Sequence, residues 1–282
     1  MTTYFGFVQL EFGFLLGPAD GRFLVREPSS EDPTRILVLA TLHASRRRGR
    51  RARRGQTVTD AQPEAVPTSR ATAIMPEPFA DRTDAASWLQ SLRSSEEALD
   101  ATLHEGLRAL NRALAAHRAA QATPHVRDVS PEVALVVRVG FGSGEAVAEG
   151  QYAEAWELPH GATRVKRSME APDERFAALL GGHQTALAAE ELVLRARADL
   201  DAGRSREAAL QARIGLEALL AEHTSLSPAR RAALQDARGP VGDAANVALR
   251  GELDAATLAG VAEAVEQLEA ALRAHRLSTS SR

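Results

Sequence analysis

The amino-acid sequence predicts an α+β fold, in which an N-terminal antiparallel sheet with packing helices is followed by a C-terminal helical bundle. Apolar residues recur at every second position near the N-terminus, which is the period of a half-buried strand. From Asp84 the apolar period becomes helical, and beyond Pro172 the chain is almost purely helical in pattern. We therefore predict an α+β domain over residues 1–165, a helical domain over 170–276 and a flexible tail over 277–282.

The first strand is predicted over residues 4–16, a segment rich in aromatic residues. Its apolar face consists of Val8, Leu10, Phe12, Phe14 and Leu16. The turn residues at 17–21 then predict a hairpin with a second strand over 22–26. Because of its aromatic side chains, we expect the first strand to be able to add to the sheet of a partner.

Further strands are predicted over residues 35–42, 69–75 and 134–141. The first of these, R-I-L-V-L-A-T-L, is apolar almost without interruption, which favours a central strand that is covered on both faces. The glycine-rich stretch at 140–144 is followed by carboxylates and by no lysine, so it would repel a phosphate group. We predict a flexible turn at this stretch.

A strongly basic segment lies between two of these strands. It contains seven arginines, which are Arg46, Arg47, Arg48, Arg50, Arg51, Arg53 and Arg54. Residues 45–69 show no apolar periodicity, so we predict a disordered insertion there. Lysine occurs once, at Lys166, among 34 basic residues, and this preference for arginine is typical of a GC-rich bacterial genome. Two roles stay open for the seven arginines: they bind nucleic-acid phosphates, or they lie over the acidic residues Glu145, Glu149, Glu154 and Glu157.

The longest helix of the N-terminal domain is predicted around a stripe of five leucines, which we expect to pack on the sheet. These are Leu99, Leu103, Leu107, Leu110 and Leu114. Glu97, Asp100 and His104 lie beside the stripe at a spacing that allows them to share one face. A metal ion would need at least one more ligand from elsewhere, so we expect a solvated flank and no metal site.

A helical hairpin is predicted over residues 187–222. Its core reads L-V-L-R-A-R-A-D-L-D-A-G-R-S-R-E-A-A-L-Q-A-R-I-G-L-E-A-L-L, with a small residue and a leucine before a glycine turn and Glu-Ala after it. This hairpin resembles a tetratricopeptide-type unit, and it is similar to the middle helices of HEPN-type bundles. A tetratricopeptide array would need a second copy about 34 residues further on, which the sequence does not provide. A generic alanine-rich helical hairpin explains the pattern as well.

The resemblance to HEPN-type proteins, many of which are nucleases, implies an Arg-x4-6-His motif on a helix. Arg112 and His117 have this spacing and are the candidate catalytic pair. They lie in an earlier helix, outside the hairpin that carries the resemblance. His117 falls at the edge of the leucine stripe, and this position favours a packed or hydrogen-bonded core histidine.

The composition excludes several kinds of site. The chain has no cysteine, which excludes disulfides, thiolate nucleophiles and cysteine-based metal sites. The N-terminus lacks the basic region of a secretory signal, and no apolar run approaches the length of a membrane span. We expect a cytoplasmic protein that uses no cofactor and has no membrane partner.

These observations predict a non-catalytic intracellular interaction or scaffold protein, whose partner is another protein or a second copy of the chain. The alternative is an RNA-associated protein or a HEPN-like nuclease, in which the seven arginines form the electrostatic footprint of the nucleic acid.

Overall fold

The structure is a computed structural model that describes residues 2–26, 31–42, 67–159, 172–223 and 226–280. The chain divides into two compact units, Met1–Arg164 and Val165–Arg282. The first unit contains a six-stranded antiparallel sheet with two long helices, and the second is helical, which confirms the predicted α+β fold. Among the described helices, none has the length and apolar character needed to cross a membrane.

The strands of the first unit are β1 Tyr4–Phe12, β2 Gly21–Arg26, β3 Pro33–Leu42, β4 Thr68–Ile74, β5 Val136–Ser143 and β6 Glu154–Glu157. Their order across the sheet is β2-β3-β4-β1-β5-β6, and every neighbouring pair is antiparallel. β1 is therefore central, and β2 and β6 are the edges of the described sheet. Residues 35–42 were predicted to form a central strand covered on both faces; β3 is internal, between β2 and β4, but only its helix-covered face, with Leu37 and Leu39, is buried, while Ile36 and Val38 on the other face are half-buried.

The predicted hairpin between the first two strands is wrong. β2 pairs with β3, while β1 pairs on its two sides with β4 and β5, so β1 is not available to add to a partner's sheet. The first strand ends at Phe12, and the chain then crosses the ends of β4 and β3. On this path the Leu16 amide donates to Ser69 Oγ at 3.2 Å, and Thr41 Oγ1 donates to Asp20 Oδ1 at 2.7 Å. The physical reason is that β1 is buried on both faces, with Phe7 and Gln9 on one and Val8 and Leu10 on the other, which favours a central position, whereas a strand with two arginines is tolerated at an edge.

The basic segment connects two neighbouring strands. Leu42 at the end of β3 lies opposite Thr68 at the start of β4, so the ends of the connection are side by side. Residues 43–66, with all seven arginines and most of the predicted insertion, lie outside the described residues. The predicted end of the insertion at residue 69 is too late, because Thr68 and Ser69 already pair with β3.

Two helices, α1 Arg82–Ser94 and α2 Glu96–Ala120, cover one face of the sheet. Three residues of the predicted leucine stripe, Leu103, Leu110 and Leu114, are buried in the core between α2 and the sheet, and the other two pack against it. The helix lies close to the sheet at Gly106, where an added Cβ would lie 2.8 Å from Val8 Cβ. The prediction that the stripe packs on the sheet is confirmed.

The second unit contains five described helices: α3 Pro172–Leu180, α4 Ala188–Asp201, α5 Ser205–Glu222, α6 Pro228–Ala248 and α7 Ala255–Ser280. α4 and α5 form the predicted hairpin, which turns at Gly203 with a φ of 71°. Helices α4 to α7 share one apolar core that is rich in alanine. Because alanine side chains are short, these helices can approach one another closely.

Two predicted helix ends in this unit are wrong. Gly239-Pro240 is a sequence signal that predicts the end of a helix begun at Pro228, yet α6 continues through it, because Leu234 before it and Val241 after it are buried in the same core. The lost hydrogen bond of Pro240 is thus outweighed by packing on both sides. The predicted start of the flexible tail at Leu277 is too early, since α7 continues to Ser280. No glycine or proline between these residues interrupts it.

Candidate functional site

The candidate catalytic residues lie on α2. Arg112 and His117 are both half-buried, and the His117 ring lies against Gly17 on the connection that follows β1. Five positions on a helix turn two side chains about 140° apart. The helix therefore directs Arg112 and His117 away from each other.

The other polar residues that the sequence suggested as a cluster are solvated. Glu97, Asp100 and His104 are all exposed on α2. Within the described residues, no group of three or more histidines and carboxylates is close enough to hold a metal ion.

Three of the four acidic residues that were predicted as partners of the arginine segment have other partners. Glu145 forms an ion pair with Arg22. Glu154 pairs with Arg93 at 3.0 Å, and the Arg138 Nε donates to Glu157 at 2.9 Å. Three of the four carboxylates are thus engaged within the described sheet and helices, which leaves less negative charge for the seven arginines, whose own positions lie outside the described residues.

A polar cluster that the sequence did not predict lies on the sheet face opposite the helices. At its centre Gln9 is fully buried, and its amide makes four hydrogen bonds. The nitrogen donates to Thr72 Oγ1 at 2.9 Å and to the Val147 carbonyl at 3.2 Å. The oxygen accepts from Tyr152 at 2.6 Å and from Arg138 at 3.2 Å. Gln9 therefore fastens the segment containing Val147 and Tyr152 across this face.

Glu11 lies two residues after Gln9 on β1, and its carboxylate forms ion pairs with arginines of both neighbouring strands. Its Oε1 accepts hydrogen bonds from Arg70 of β4 at 2.8 and 3.1 Å and from Arg138 of β5 at 2.8 Å. Burial acts to raise the pKa of Glu11, but the hydrogen bonds and charges of Arg138 and Arg70 outweigh it and lower the pKa below its ordinary value. The carboxylate is thus held ionised between the two guanidinium groups.

The charges of this cluster balance. Arg70 and Arg138 face two carboxylates, Glu11 and Glu157, so the cluster has no net charge with which to attract an ionic ligand. Arg70 also donates to the Ala148 carbonyl at 3.3 Å. We interpret the cluster as a clamp that holds the covering segment and the central strands together.

The exposed edge at β2 is the feature of the first unit that suggests a function. Phe23 and Leu24 are neighbours on this strand and keep 41% and 46% of their surface exposed. Phe23 lies on the helix-covered face with its register partner Leu37, and Leu24 lies on the opposite face with Ile36. Among the described residues, β2 pairs only with β3, so its outer row of peptide groups faces no other strand.

In the second unit, buried charge and two histidines meet near one end of the bundle. Arg175 of α3 donates to both oxygens of the buried Glu190 carboxylate, at 2.7 and 2.8 Å. His223, at the end of α5, contacts His275 of α7, with 4.2 Å between the ring centroids. Arg231 of α6 donates to the His223 carbonyl at 3.0 Å. Burial, and then the electrostatic interactions with His275 and with Arg231, lower the pKa of His223.

This histidine contact predicts that the helical unit loses stability in mild acid. His223 binds a proton less readily in the folded than in the unfolded chain, so the unfolded state gains as the pH falls from the ordinary value of 6.5 through the folded pKa. Helix unfolding followed by circular dichroism should show this loss, and His223→Gln should flatten the pH dependence.

His183→Gln is the matched control, because His183 is exposed in the same unit. It should keep the pH dependence of the natural chain. Equal slopes in the natural chain and in His223→Gln would contradict the prediction.

Comparison with protein-family models, curated proteins and solved structures found no match for this chain.

Proposed function

We propose that this protein is a non-catalytic protein-interaction protein that associates with copies of itself. The observation that carries the proposal is the pair of exposed apolar side chains, Phe23 and Leu24, on the outermost strand of the sheet. An unpaired edge strand offers its backbone donors and acceptors to another strand, and apolar side chains on both faces add buried surface when such a strand pairs.

Charged side chains protect this edge only in part. Arg22 forms an ion pair with Glu145, and the Arg26 Nε donates to the Glu31 carbonyl at 2.8 Å. Arg26 keeps its charge, while the charge of Arg22 is thus balanced within its own chain. This supports association at β2, because charged side chains at an edge otherwise oppose pairing.

Light scattering after size exclusion, at a series of protein concentrations, tests the proposal. We expect the mass to rise from 30.2 kDa towards twice that value, and we expect Phe23→Lys to keep the chain monomeric. Leu180→Lys is a matched control, since Leu180 is 77% exposed on α3; this variant should associate like the natural chain. A monomer at every concentration would contradict the proposal.

A second candidate function is an RNA-associated protein. One observation favours it: the ends of the arginine segment are fixed side by side at Leu42 and Thr68, and the exposed Phe14 lies beyond the adjoining end of β1. Arginines together with an aromatic side chain are the usual means of binding single-stranded nucleic acid.

The test compares the natural chain with a variant in which Asn-Gly replaces residues 43–67. Because Leu42 and Thr68 are register partners, a two-residue turn can join them without disturbing the sheet. We expect the natural chain to bind a single-stranded RNA with a steep salt dependence and the variant to lose this binding. Equal binding by both proteins, or by neither, would reject this candidate.

The nuclease form of this candidate rests on Arg112 and His117. RNA cleavage should then be abolished in both Arg112→Ala and His117→Ala. Cleavage that is absent in the natural chain, or unchanged in both variants, would reject the nuclease form.

A further inference from the structure

We infer that β2 pairs with β2 of a second copy in one register, centred on Phe23, so that the two sheets become continuous. This inference rests on the proposed function and specifies its surface and geometry. The six residues of β2 are a usual length for a paired strand.

The two faces of the sheet limit the possible registers. In an antiparallel pair related by a two-fold axis, opposite residues must point to the same face, so the axis lies midway between two facing copies of one residue. For β2 the possible centres near the middle of the strand are Phe23 and Leu24. A centre at Phe23 brings the two Phe23 side chains together on the helix-covered face.

Charge selects between the two centres. With Leu24 at the centre, Arg22 of each copy lies opposite Arg26 of the other, which places like charges in direct contact distance. With Phe23 at the centre, Arg22 lies opposite Leu24, and Arg26 lies opposite Asp20, the residue directly before β2. Asp20 and Arg26 are both exposed, and the two-fold axis produces this opposite-charge pair twice. The Phe23-centred register is therefore the complementary one.

Apolar surface favours the same register. Each Phe23 ring has 41% of its surface exposed before pairing, and the opposite Phe23 can cover part of it. Aromatic side chains that face each other across neighbouring strands stabilise the pair beyond the area they bury.

Single-cysteine variants of the full chain test the register directly, because the natural chain has no cysteine. Opposite residues of antiparallel strands have Cα atoms about 4.5–5.5 Å apart, which suits a disulfide, whereas residues offset by two positions are about 7–8 Å apart. Under mild oxidation, Phe23→Cys should give mostly covalent dimer. Leu24→Cys is the matched control and should give at least about fivefold less, since a disulfide does not span the larger distance.

A second pair of variants tests the charge contact. Asp20→Asn keeps the oxygen that accepts from Thr41 but removes the charge, and Arg26→Gln removes the opposite charge. Each should weaken dimerisation about two- to fivefold, and the double variant should be no weaker than either single one, as expected for interacting partners.

The outcomes separate this inference from the proposed function. More cross-linking in Leu24→Cys than in Phe23→Cys would overturn the Phe23-centred register. A dimer by light scattering with no cross-link in either variant would overturn the β2 interface while self-association stands. A monomer by light scattering would overturn the proposed function as well.

Discussion

Glu11→Gln is expected to destabilise the first unit by about 2–4 kcal/mol, because it leaves Arg70 and Arg138 without the carboxylate that both of them bind. The side chain of Glu11 is only 14% exposed, so water cannot replace the lost contacts fully. Denaturant unfolding followed by tryptophan fluorescence measures this effect in the first unit alone, since the two tryptophans, Trp88 and Trp156, lie there.

Glu157→Gln is the matched control for this prediction. Glu157 binds the same Arg138 but is 59% exposed, so its loss should cost less than about 1 kcal/mol. Equal effects of the two variants would mean that Glu11 does not act as the buried centre of the clamp.

The ion pairs of Glu11 also predict that the first unit loses stability at low pH. Because the pKa of Glu11 is lowered in the folded chain, its stabilising contribution is complete above the ordinary value of 4.5 and is lost as the pH falls through the folded pKa. The Glu11→Gln variant should lack this part of the acid sensitivity.

Gly140→Ala is expected to destabilise the first unit by about 3 kcal/mol. An added Cβ at Gly140 would lie 2.4 Å from the Glu154 carbonyl oxygen and 2.8 Å from Ala155 Cα. Both are backbone atoms of β6, so the contact cannot be relieved by a change of rotamer. Tryptophan fluorescence during denaturant unfolding should report the loss, and Trp156 of β6 lies beside the affected residues.

Gly13→Ala is the control for this substitution. Its added Cβ would lie 3.3 Å from Leu135 Cδ1, the end of an exposed and flexible side chain. We expect a change of less than about 0.5 kcal/mol there. A Gly140→Ala variant as stable as the natural chain would contradict the close packing of β5 on β6.

The glycine stretch also illustrates what the sequence could not predict. A flexible turn was predicted at 140–144, but Gly140 and Gly142 lie within β5, and only Gly144 has a positive φ, of 54°. The close approach of β6 requires glycine at 140, and that contact comes from a strand whose position a single sequence does not reveal.

The periodic elements were predictable because their signal is local. The alternation of Val8, Leu10 and Phe12 and the spacing of the leucines on α2 each define one apolar face that packs in the core. Phe14, which the prediction placed on the same face of the first strand, lies beyond the end of β1 and is 43% exposed. The partner of each strand is a tertiary property. The turn residues after β1 suggested a hairpin with β2, but burial of both faces of β1 decided the strand order.

The polar cluster around Gln9 and Glu11 could not be predicted, because it depends on which strands are neighbours in the sheet. Gln9 and Glu11 were visible as the polar face of β1, but their partners Arg70 and Arg138 are about 60 and 130 positions away in the sequence, as is usual for sheet neighbours. The edge position of β2 could not be predicted either, because the turn residues before it predicted that β2 pairs with the first strand. The two basic residues of β2 gave a weak signal that it could lie at an edge.

Hydrogen exchange of the β2 amides tests the central claim most directly. We expect exchange at residues 21–26 to slow as the protein concentration rises, because pairing with a second copy occupies the outward-facing peptide groups. Exchange at residues 154–157 of β6, the other edge, should not change with concentration. Exchange at β2 that is independent of concentration, in samples that light scattering shows to be dimeric, would contradict the account.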